Sequence, residues 1–178
     1  MDDKVKDLLE RIRGAADVAA DAAADTARSL GYEPIYLTDR LCCEARDAGS
    51  FMASILRSHA ADGKKTAWLA GGETVVHLTG TGLGGRNQEL ALSAAACLDG
   101  LDNVCLISVG SDGTDGPTDA AGGYADGDTL SELQEKGLSL HAILADNDAY
   151  HALQAVGNLI VTGPTGTNVN DVAVGLIG

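Results

Sequence analysis

Residues 73–92 read ETVVHLTGTGLGGRNQELAL, and this stretch decides the fold around it. A strand pattern at 74–79 passes into a glycine-rich loop at 80–85, and a helix pattern begins near Asn87. The first backbone N–H groups of a helix have no partner within it, and the helix dipole adds positive charge there. Arg86 stands at this point, where its planar guanidinium can hold an oxyanion through two hydrogen bonds. The stretch therefore predicts an anion site formed by the glycine backbone and Arg86.

The same loop also matches the dinucleotide-binding pattern G-x-G-x-x-G, through Gly80, Gly82 and Gly85. In a dinucleotide-binding unit, an acidic residue about 20 positions further on holds the ribose. Here the first acidic residue after the next apolar strand is Asp112, which lies roughly 30 positions from Gly80. This spacing fits poorly, so we favour the anion site and keep the dinucleotide site as an alternative.

The composition suits one folded domain with a sizeable core, because the 178 residues are 45% hydrophobic. There are 12 basic residues against 26 acidic ones, the formal charge is −14, and aromatic residues make up 3% of the chain. A nucleic-acid surface needs a basic patch and usually stacking rings, so we expect no nucleic-acid partner. No apolar run approaches the roughly 20 residues of a membrane span, and the N-terminus does not resemble a signal peptide. We therefore expect no membrane contact and a cytoplasmic location.

The four cysteines, at positions 42, 43, 97 and 105, show no metal-ligand spacing. We interpret them as free thiols that act as small, buried hydrophobic residues.

Helix and strand patterns alternate along the chain. Helices are predicted at 5–12, 15–30, 43–61, 88–98, 130–136 and 149–156. Strands are predicted at 34–37, 66–70, 74–79, 104–109, 158–162 and 172–176. The glycine pair at 71–72 predicts a turn that joins two of these strands into a β-hairpin. The near-continuous apolar run at 104–109 is typical of a central strand covered on both faces. The pattern predicts an α/β protein, a three-layer α/β/α sandwich with a mixed, mostly parallel sheet containing one β-hairpin. Residues 1–31 are expected to be N-terminal helices that lead into a domain at 32–178.

A second polar loop, the acidic loop, follows the apolar run and covers residues 111–119. Open α/β sheets place ligand sites at such strand ends. An EF-hand loop starting at Asp112 would need an acidic residue where Gly123 stands, so we exclude that type of calcium site. Asp112 and Asp115 are candidates to hold Mg²⁺ through water or to position a hydroxyl group. A plain surface turn is the alternative.

A third polar loop, the hydroxyl loop, covers residues 163–168 and reads GPTGTN. Its N–H and O–H groups are suited to binding an oxyanion. Each of the three loops follows a predicted strand, and we expect them to converge on one edge of the sheet.

Several blocks of sequence keep a fixed order across about residues 70–178: GGET at 71–74, GGRNQELAL at 84–92, DGTDGPTDAAG at 112–122, ND at 147–148 and TGPTGTNVND at 162–171. These blocks resemble the C-terminal MOFRL region of the glycerate 2-kinase family. The segment with Glu44, Ala45 and Arg46 resembles the part just before it. The resemblance implies transfer of the γ-phosphoryl group of ATP, with Mg²⁺, to the 2-hydroxyl of D-glycerate, in a cleft between two domains.

From the residues and this resemblance together we predict the site. Arg86, with the backbone of Gly84 and Gly85, binds the phosphoryl group or the glycerate carboxylate. Asp112 or Asp115 handles Mg²⁺ or the substrate hydroxyl. The remaining predicted binding residues are Glu73, which orients Arg86, and Asn87, Thr118, Asp119, Thr165, Gly166, Thr167 and Asn168. The alternative is that these loops only hydrogen-bond to one another.

The family's N-terminal domain has no counterpart in these residues. A kinase needs several cations around the transferred phosphate, and Arg86 is the one fixed cation that the sequence predicts near the loops. We therefore expect a C-terminal half that is inactive alone and is completed by a separate N-terminal domain. Self-association through an exposed seam is the other expected contact. The alternatives are a stand-alone binding module for a small anionic metabolite and, more weakly, an NAD(P)-dependent hydroxypyruvate reductase, a label that some family members carry.

Overall fold

The structure, a computed structural model, describes residues 21–166 and 168–178. The predicted helix at 5–12, the first part of the predicted helix at 15–30, and Thr167 lie outside the described residues. The helices are α1 (residues 21–29), α2 (Ala45–His59), α3 (Arg86–Leu98), α4 (Thr129–Glu135), α5 (Leu140–Asp146) and α6 (Ala149–Val156). The strands are β1 (Glu33–Leu41), β2 (Thr66–Gly72), β3 (Val104–Gly110), β4 (Gly122–Asp126), β5 (Leu159–Ile160) and β6 (Asp171–Ile177).

Within the described residues the strands form one sheet in the order β1-β2-β6-β3-β4-β5. The prediction of an α/β fold with a mixed sheet is confirmed. The prediction that the sheet is mostly parallel is wrong, because only β1 and β2 pair in parallel and the other neighbouring strands pair antiparallel. The reason is that β6 enters the middle of the sheet and runs opposite to both of its neighbours, β2 and β3.

The predicted hairpin at 66–79 is also wrong. Gly71 and Gly72 continue β2 and pair with the start of β6, and the only pairing of residues 74–79 in the described sheet is an isolated bridge between Glu44 and Val75. Gly72 has a φ of +146°, and a Cβ atom there would overlap the backbone of Leu41. Gly72 therefore allows a close approach of two backbones, and the glycine pair does not form a turn.

The main core lies between the sheet and the helix pair α2 and α3. Leu56 of α2, Leu90 of α3 and Leu106 of β3 are almost completely buried there. Gly49 is the contact point of the two helices, because a Cβ atom at this position would overlap the carbonyl group of Leu90. The sequence of α3 supplies alanines at this interface, so α3 lies close to α2 and its first turn is fixed at the end of the sheet.

Burial along β3 alternates between buried and half-buried residues. The prediction of a central strand is confirmed, because β3 lies between β6 and β4, but its second face is covered only in part. One face packs under α2 and α3, whereas Cys105, Ile107 and Val109 on the other face are half-buried. An antiparallel sheet accommodates this asymmetry, because its strands do not need helical crossovers on both faces.

Most of the other predicted elements are present with shifted ends, and α6 begins and ends at the predicted residues. Gly31, Gly137 and Gly157 have positive φ angles directly after helices, as helix-ending glycines do. The sequence analysis missed α5 and β4. The four cysteines are free, but Cys42 and Cys43 are exposed, so their predicted burial is wrong. No helix within the described ranges has the length and apolar character needed to cross a membrane.

Candidate functional site

The three polar loops meet at one end of the sheet, as predicted. Asp171, the first residue of β6, pairs with the last residues of β2 and β3, which are Gly72 and Gly110. Arg86, which directly follows the glycine-rich loop, contacts the side chain of Asp171. The acidic loop and the hydroxyl loop are joined by a hydrogen bond that the Thr165 N–H donates to the carbonyl oxygen of residue 112, at 3.1 Å.

Arg86 is held at this edge by two carboxylates. Its Nε and Nη2 atoms donate to the two oxygens of Asp171 at 2.5 and 3.1 Å, and Nη1 lies 2.9 Å from Glu73 Oε1. The bond to Asp171 raises the pKa of Arg86, so the guanidinium stays charged. The predicted contact between Glu73 and Arg86 is present. Asp171 was not predicted as a site residue, although the block at 162–171 ends on it. We call these three residues the Arg86 corner.

The first turn of α3 does not offer the open anion site that the sequence predicts. The Asp115 carboxylate accepts hydrogen bonds from the backbone N–H groups of Asn87 and Gln88, at 3.1 and 2.8 Å. A Cβ atom at Gly85 would overlap this carboxylate, so the glycine is required for the contact. Burial raises the pKa of Asp115 to about 6, although the N–H groups act in the opposite direction. An internal carboxylate thus takes the position expected for an external anion.

The first half of the glycine-rich loop, residues 79–83, is occupied in a similar way. Asn147 Oδ1 accepts from the N–H groups of Thr79 and Gly80, at 2.7 and 3.1 Å. The next three N–H groups donate to the side chain and carbonyl group of Asp146 and to the side chain of Asp148. We call residues 146–148 the acidic turn. Because it takes these donors, the loop has no free backbone N–H at 79–83 for a phosphate, which counts against the dinucleotide site.

The space that remains is a cleft of about 630 Å³ in front of the Arg86 corner. Gly84, Gly85 and Arg86 line it, and within the described residues the backbone N–H groups of these three have no hydrogen-bond partner. Val75 and Leu78 also line it and are 48% and 80% exposed. The cleft is therefore open, partly apolar and charged at one end.

A second cation lies just behind the cleft. Glu89 lines the cleft, is 2% exposed, and accepts from Nε of Arg46 at 2.8 Å and from Asn147 Nδ2 at 3.0 Å. Arg46 Nη2 lies 2.7 Å from Glu89 Oε1, the oxygen that also accepts from Arg46 Nε. The expectation that Arg86 is the only fixed cation near the loops is therefore wrong. The segment Glu44-Ala45-Arg46 was the available signal, since it belongs to the resemblance.

The other predicted residues mainly hold the loops in place. Thr118 Oγ1 accepts from Gln88 Nε2 at 2.8 Å, and Asp119 accepts from the Tyr150 hydroxyl at 2.8 Å. The Asp112 carboxylate accepts from the backbone N–H of residue 114 at 2.9 Å. The hydroxyl of residue 165 donates to the carbonyl oxygen of residue 111 at 2.5 Å. Gly166 and Asn168 are exposed, and Thr167 lies outside the described ranges.

No group of three or more potential metal ligands (His, Cys, Asp or Glu) is present among residues 21–166 and 168–178. A Mg²⁺ ion bound with a nucleotide needs only one or two protein carboxylates, because phosphate oxygens and water supply the other ligands. The role of Asp112 or Asp115 in binding Mg²⁺ stays a prediction. Asp112 fits this role better than Asp115, whose two oxygens already accept N–H groups.

Known proteins similar to this chain are longer than it is. A D-glycerate 2-kinase from Thermotoga maritima is 50% identical over 168 residues, which are 92% of this chain and 40% of that protein. A glycerate 2-kinase from Pyrococcus horikoshii is 42% identical, over 90% of this chain and 37% of that protein. The crystal structure of a glycerate kinase from Thermotoga maritima superposes with a TM-score of 0.87 at 51% identity, over 89% of this chain and 39% of that one. Residues 66–171 match the model of the MOFRL family, and with this match and these relatives the chain belongs to that family.

Proposed function

We propose that this chain forms the C-terminal half of an ATP-dependent glycerate 2-kinase, which transfers a phosphoryl group to the 2-hydroxyl of D-glycerate. The chain spans 40% and 37% of the length of the Thermotoga maritima and Pyrococcus horikoshii relatives. We therefore assign the rest of the active site, including most contacts to ATP, to an N-terminal domain. The observation that carries the proposal is the placement of Arg86, fixed by two carboxylates at one end of an open cleft.

The geometry of Arg86 suits recognition of a carboxylate or phosphoryl oxygen. A guanidinium has five N–H donors, and Asp171 takes two of them. Glu73, whose side chain is 62% exposed, is the weaker partner that an incoming anion can replace. The backbone N–H groups of Gly84 and Gly85, which have no partner among residues 21–166 and 168–178, line the same cleft as the guanidinium and add further donors. A glycerate carboxylate placed there would be held by charge and by direct hydrogen bonds.

The charges of the cleft also support the expectation that the chain is inactive alone. Its charged lining residues are one base, Arg86, and three acids, Glu73, Glu89 and Asp115. Phosphoryl transfer needs more positive than negative charge around the phosphate oxygens. Mg²⁺ and cations from an N-terminal domain would supply the difference. The exposed apolar wall at Val75 and Leu78 suits coverage by such a domain.

A chimera tests this function. This chain replaces the matching C-terminal part of the Thermotoga maritima D-glycerate 2-kinase, and D-glycerate-dependent release of ADP is measured. We expect turnover that falls at least about 100-fold in Arg86→Ala, because both charge and orientation are lost. Lys136→Ala, at the exposed end of α4, is the matched control and should leave turnover unchanged. Turnover that is indifferent to Arg86→Ala would contradict the assignment.

A second measurement distinguishes the kinase half from the alternative, a stand-alone binding module. Calorimetry on the 178-residue chain, without any added domain, measures the affinity for D-glycerate. Micromolar binding combined with an inactive chimera would favour the binding module over the kinase half. The reductase alternative has no support from the site, because residues 79–83 donate their N–H groups to the acidic turn.

A further inference from the structure

Thr74 is buried beside the Arg86 corner with an unused hydroxyl group. The residue is 4% exposed, and its Oγ1 atom has no hydrogen-bond partner within the described residues. Thr74 directly follows Glu73, the partner of Arg86, and lines the cleft. A buried hydroxyl without a partner costs stability, so the fold is expected to use it.

The surroundings of Thr74 indicate what this use is. Behind the cleft lies a small cavity of about 10 Å³, which is close to the space that one water molecule occupies. Thr74, Asn87, Ser108 and Asp171 are its polar lining residues. A buried water typically makes two to four hydrogen bonds to such groups. The other lining residues are apolar or glycine, so a single water at this place would bond to these four side chains.

Asp171 connects this cavity with the anion site. Its two oxygens accept from Arg86 at 2.5 and 3.1 Å, and its side chain is only 11% exposed. Each carboxylate oxygen has lone-pair capacity for a further donor. Asn87 and Ser108 already bond to each other, since Ser108 Oγ donates to Asn87 Oδ1 at 2.6 Å. Among the four polar lining residues, Thr74 is therefore the one whose side chain has no hydrogen-bond partner within the described residues, and Asp171 is the one that contacts Arg86.

We propose that this cavity is a binding site for one ordered water molecule, which Thr74 holds and which donates a hydrogen bond to Asp171. Thr74 is then a positioning residue: through the water it fixes the carboxylate that orients Arg86. The role of this water in substrate binding rests on the proposed function, because that function makes Arg86 the anion-binding group. The water site itself does not depend on it.

The experiment compares Thr74→Val and Thr74→Ser with the unchanged 178-residue chain. Valine keeps the shape but removes the hydroxyl, and serine restores it. Crystal structures at about 1.8 Å resolution should show a water within hydrogen-bond reach of the hydroxyl at position 74 and of Asp171 in the unchanged chain and in Thr74→Ser. The Thr74→Val structure should lack this water. Thr74→Val should lower the Tm and speed the exchange of the Arg86 Nε proton with solvent about 5-fold, as seen by NMR.

The water site can be overturned by the crystal structure or by the behaviour of Thr74→Val. An empty cavity in the crystal, or a Thr74→Val chain with an unchanged or raised Tm and unchanged Arg86 exchange, would overturn the water site. Thr66→Val is the control: this buried threonine lies at the other end of β2, so its loss should leave the exchange of the Arg86 proton unaltered. If the exchange result holds but the chimera shows no turnover with D-glycerate, the proposed function falls while the water site stands.

Discussion

The first half of the glycine-rich loop and the Arg86 corner have similar components but use them differently. In the loop, three consecutive residues of the acidic turn accept the backbone N–H groups of residues 79–83. In the corner, Asp171 and Glu73 hold a guanidinium that still faces a cleft of about 630 Å³. The loop is closed by internal acceptors, whereas the corner keeps donors for a ligand.

This difference shows what a glycine-rich loop before a helix does and does not predict. The pattern guarantees exposed N–H groups, but it does not say which acceptor takes them. Gly80 and Gly82 are needed here because a Cβ atom at either position would overlap Asp146 or Asp148. The glycines thus admit a protein segment as closely as they would admit a phosphate. The acceptor can be 65 residues away in sequence, as it is between Thr81 and Asp146.

The largest loss of stability should come from Asn147→Ala, which removes hydrogen bonds between the acidic turn and the glycine-rich loop. Asn147 is 4% exposed, accepts from Thr79 and Gly80, and donates to the buried carboxylate of Glu89 at 3.0 Å. The variant removes the acceptor of two backbone N–H groups and one of the donors to the buried carboxylate, so we expect the free energy of unfolding to fall by about 4 kcal/mol. Urea unfolding measures it.

Asn103→Ala is the matched control for this change. Its amide donates to the carbonyl groups of Ala60 and Gly178 at the surface, so its removal should cost about 1 kcal/mol or less. Equal losses for the two variants would show that the acidic turn does not hold the loop, and the contrast between loop and corner would disappear.

The boundary between the two regions is tested by the pair Gly85→Ala and Gly84→Ala. A Cβ atom at Gly85 would overlap the Asp115 carboxylate, whereas at Gly84 the nearest atoms lie at 3.3 to 3.4 Å. We expect Gly85→Ala to lower the free energy of unfolding by about 3 kcal/mol and Gly84→Ala by less than about 1 kcal/mol. Thermal unfolding by calorimetry compares the two. Similar values would mean that Asp115 yields easily and that the first turn of α3 is open to an external anion.

Much of the fold could be predicted from the sequence, because local patterns set the helix ends. The sequence places α6 at its observed ends, and glycines 31, 137 and 157 end helices as expected. Strand direction could not be predicted, since β6 pairs with β2 and β3 across long sequence distances. The short helix α5 had a signal in Ser139, which caps its first turn, but seven residues give little periodicity.

The convergence of the three polar loops was predicted from the sequence, but the contacts within this candidate site were predicted only in part. Arg86 and Glu73 meet as expected, since both lie within or beside the blocks of the resemblance. The roles of Asp115 and Asp171 could not be read from the chain, because both depend on partners in other loops. A carboxylate in a polar loop carries the same sequence signal whether it caps a helix, orients an arginine or binds a metal. Only the fold decides which role it has.

The Asp115 carboxylate allows a test by pH. Burial raises its pKa in the folded chain from 3.8 to about 6, so between these values the native state binds more protons than the unfolded state. The contribution of Asp115 to stability is full below pH 3.8 and is lost as the pH rises through about 6. Between these two pH values the free energy of unfolding of the unchanged chain should fall by about 2 to 3 kcal/mol relative to that of Asp115→Asn. Urea unfolding at each pH measures this difference. The opposite slope would mean that helix capping by the charged form outweighs burial.

The smallest effect is expected at the rim of the loop, with His151→Ala. His151 Nδ1 lies 2.6 Å from Asp148 Oδ1, the oxygen that also accepts the N–H of Leu83 at 2.9 Å. The imidazole is 57% exposed, so water replaces it readily and the free energy of unfolding should change by less than about 0.5 kcal/mol. The N–H of Leu83 keeps its acceptor, and amide exchange at residues 79–83 should stay slow. If exchange at these amides instead becomes as fast as in Asn147→Ala, the loop depends on its exposed partner and is not closed by the buried acceptors.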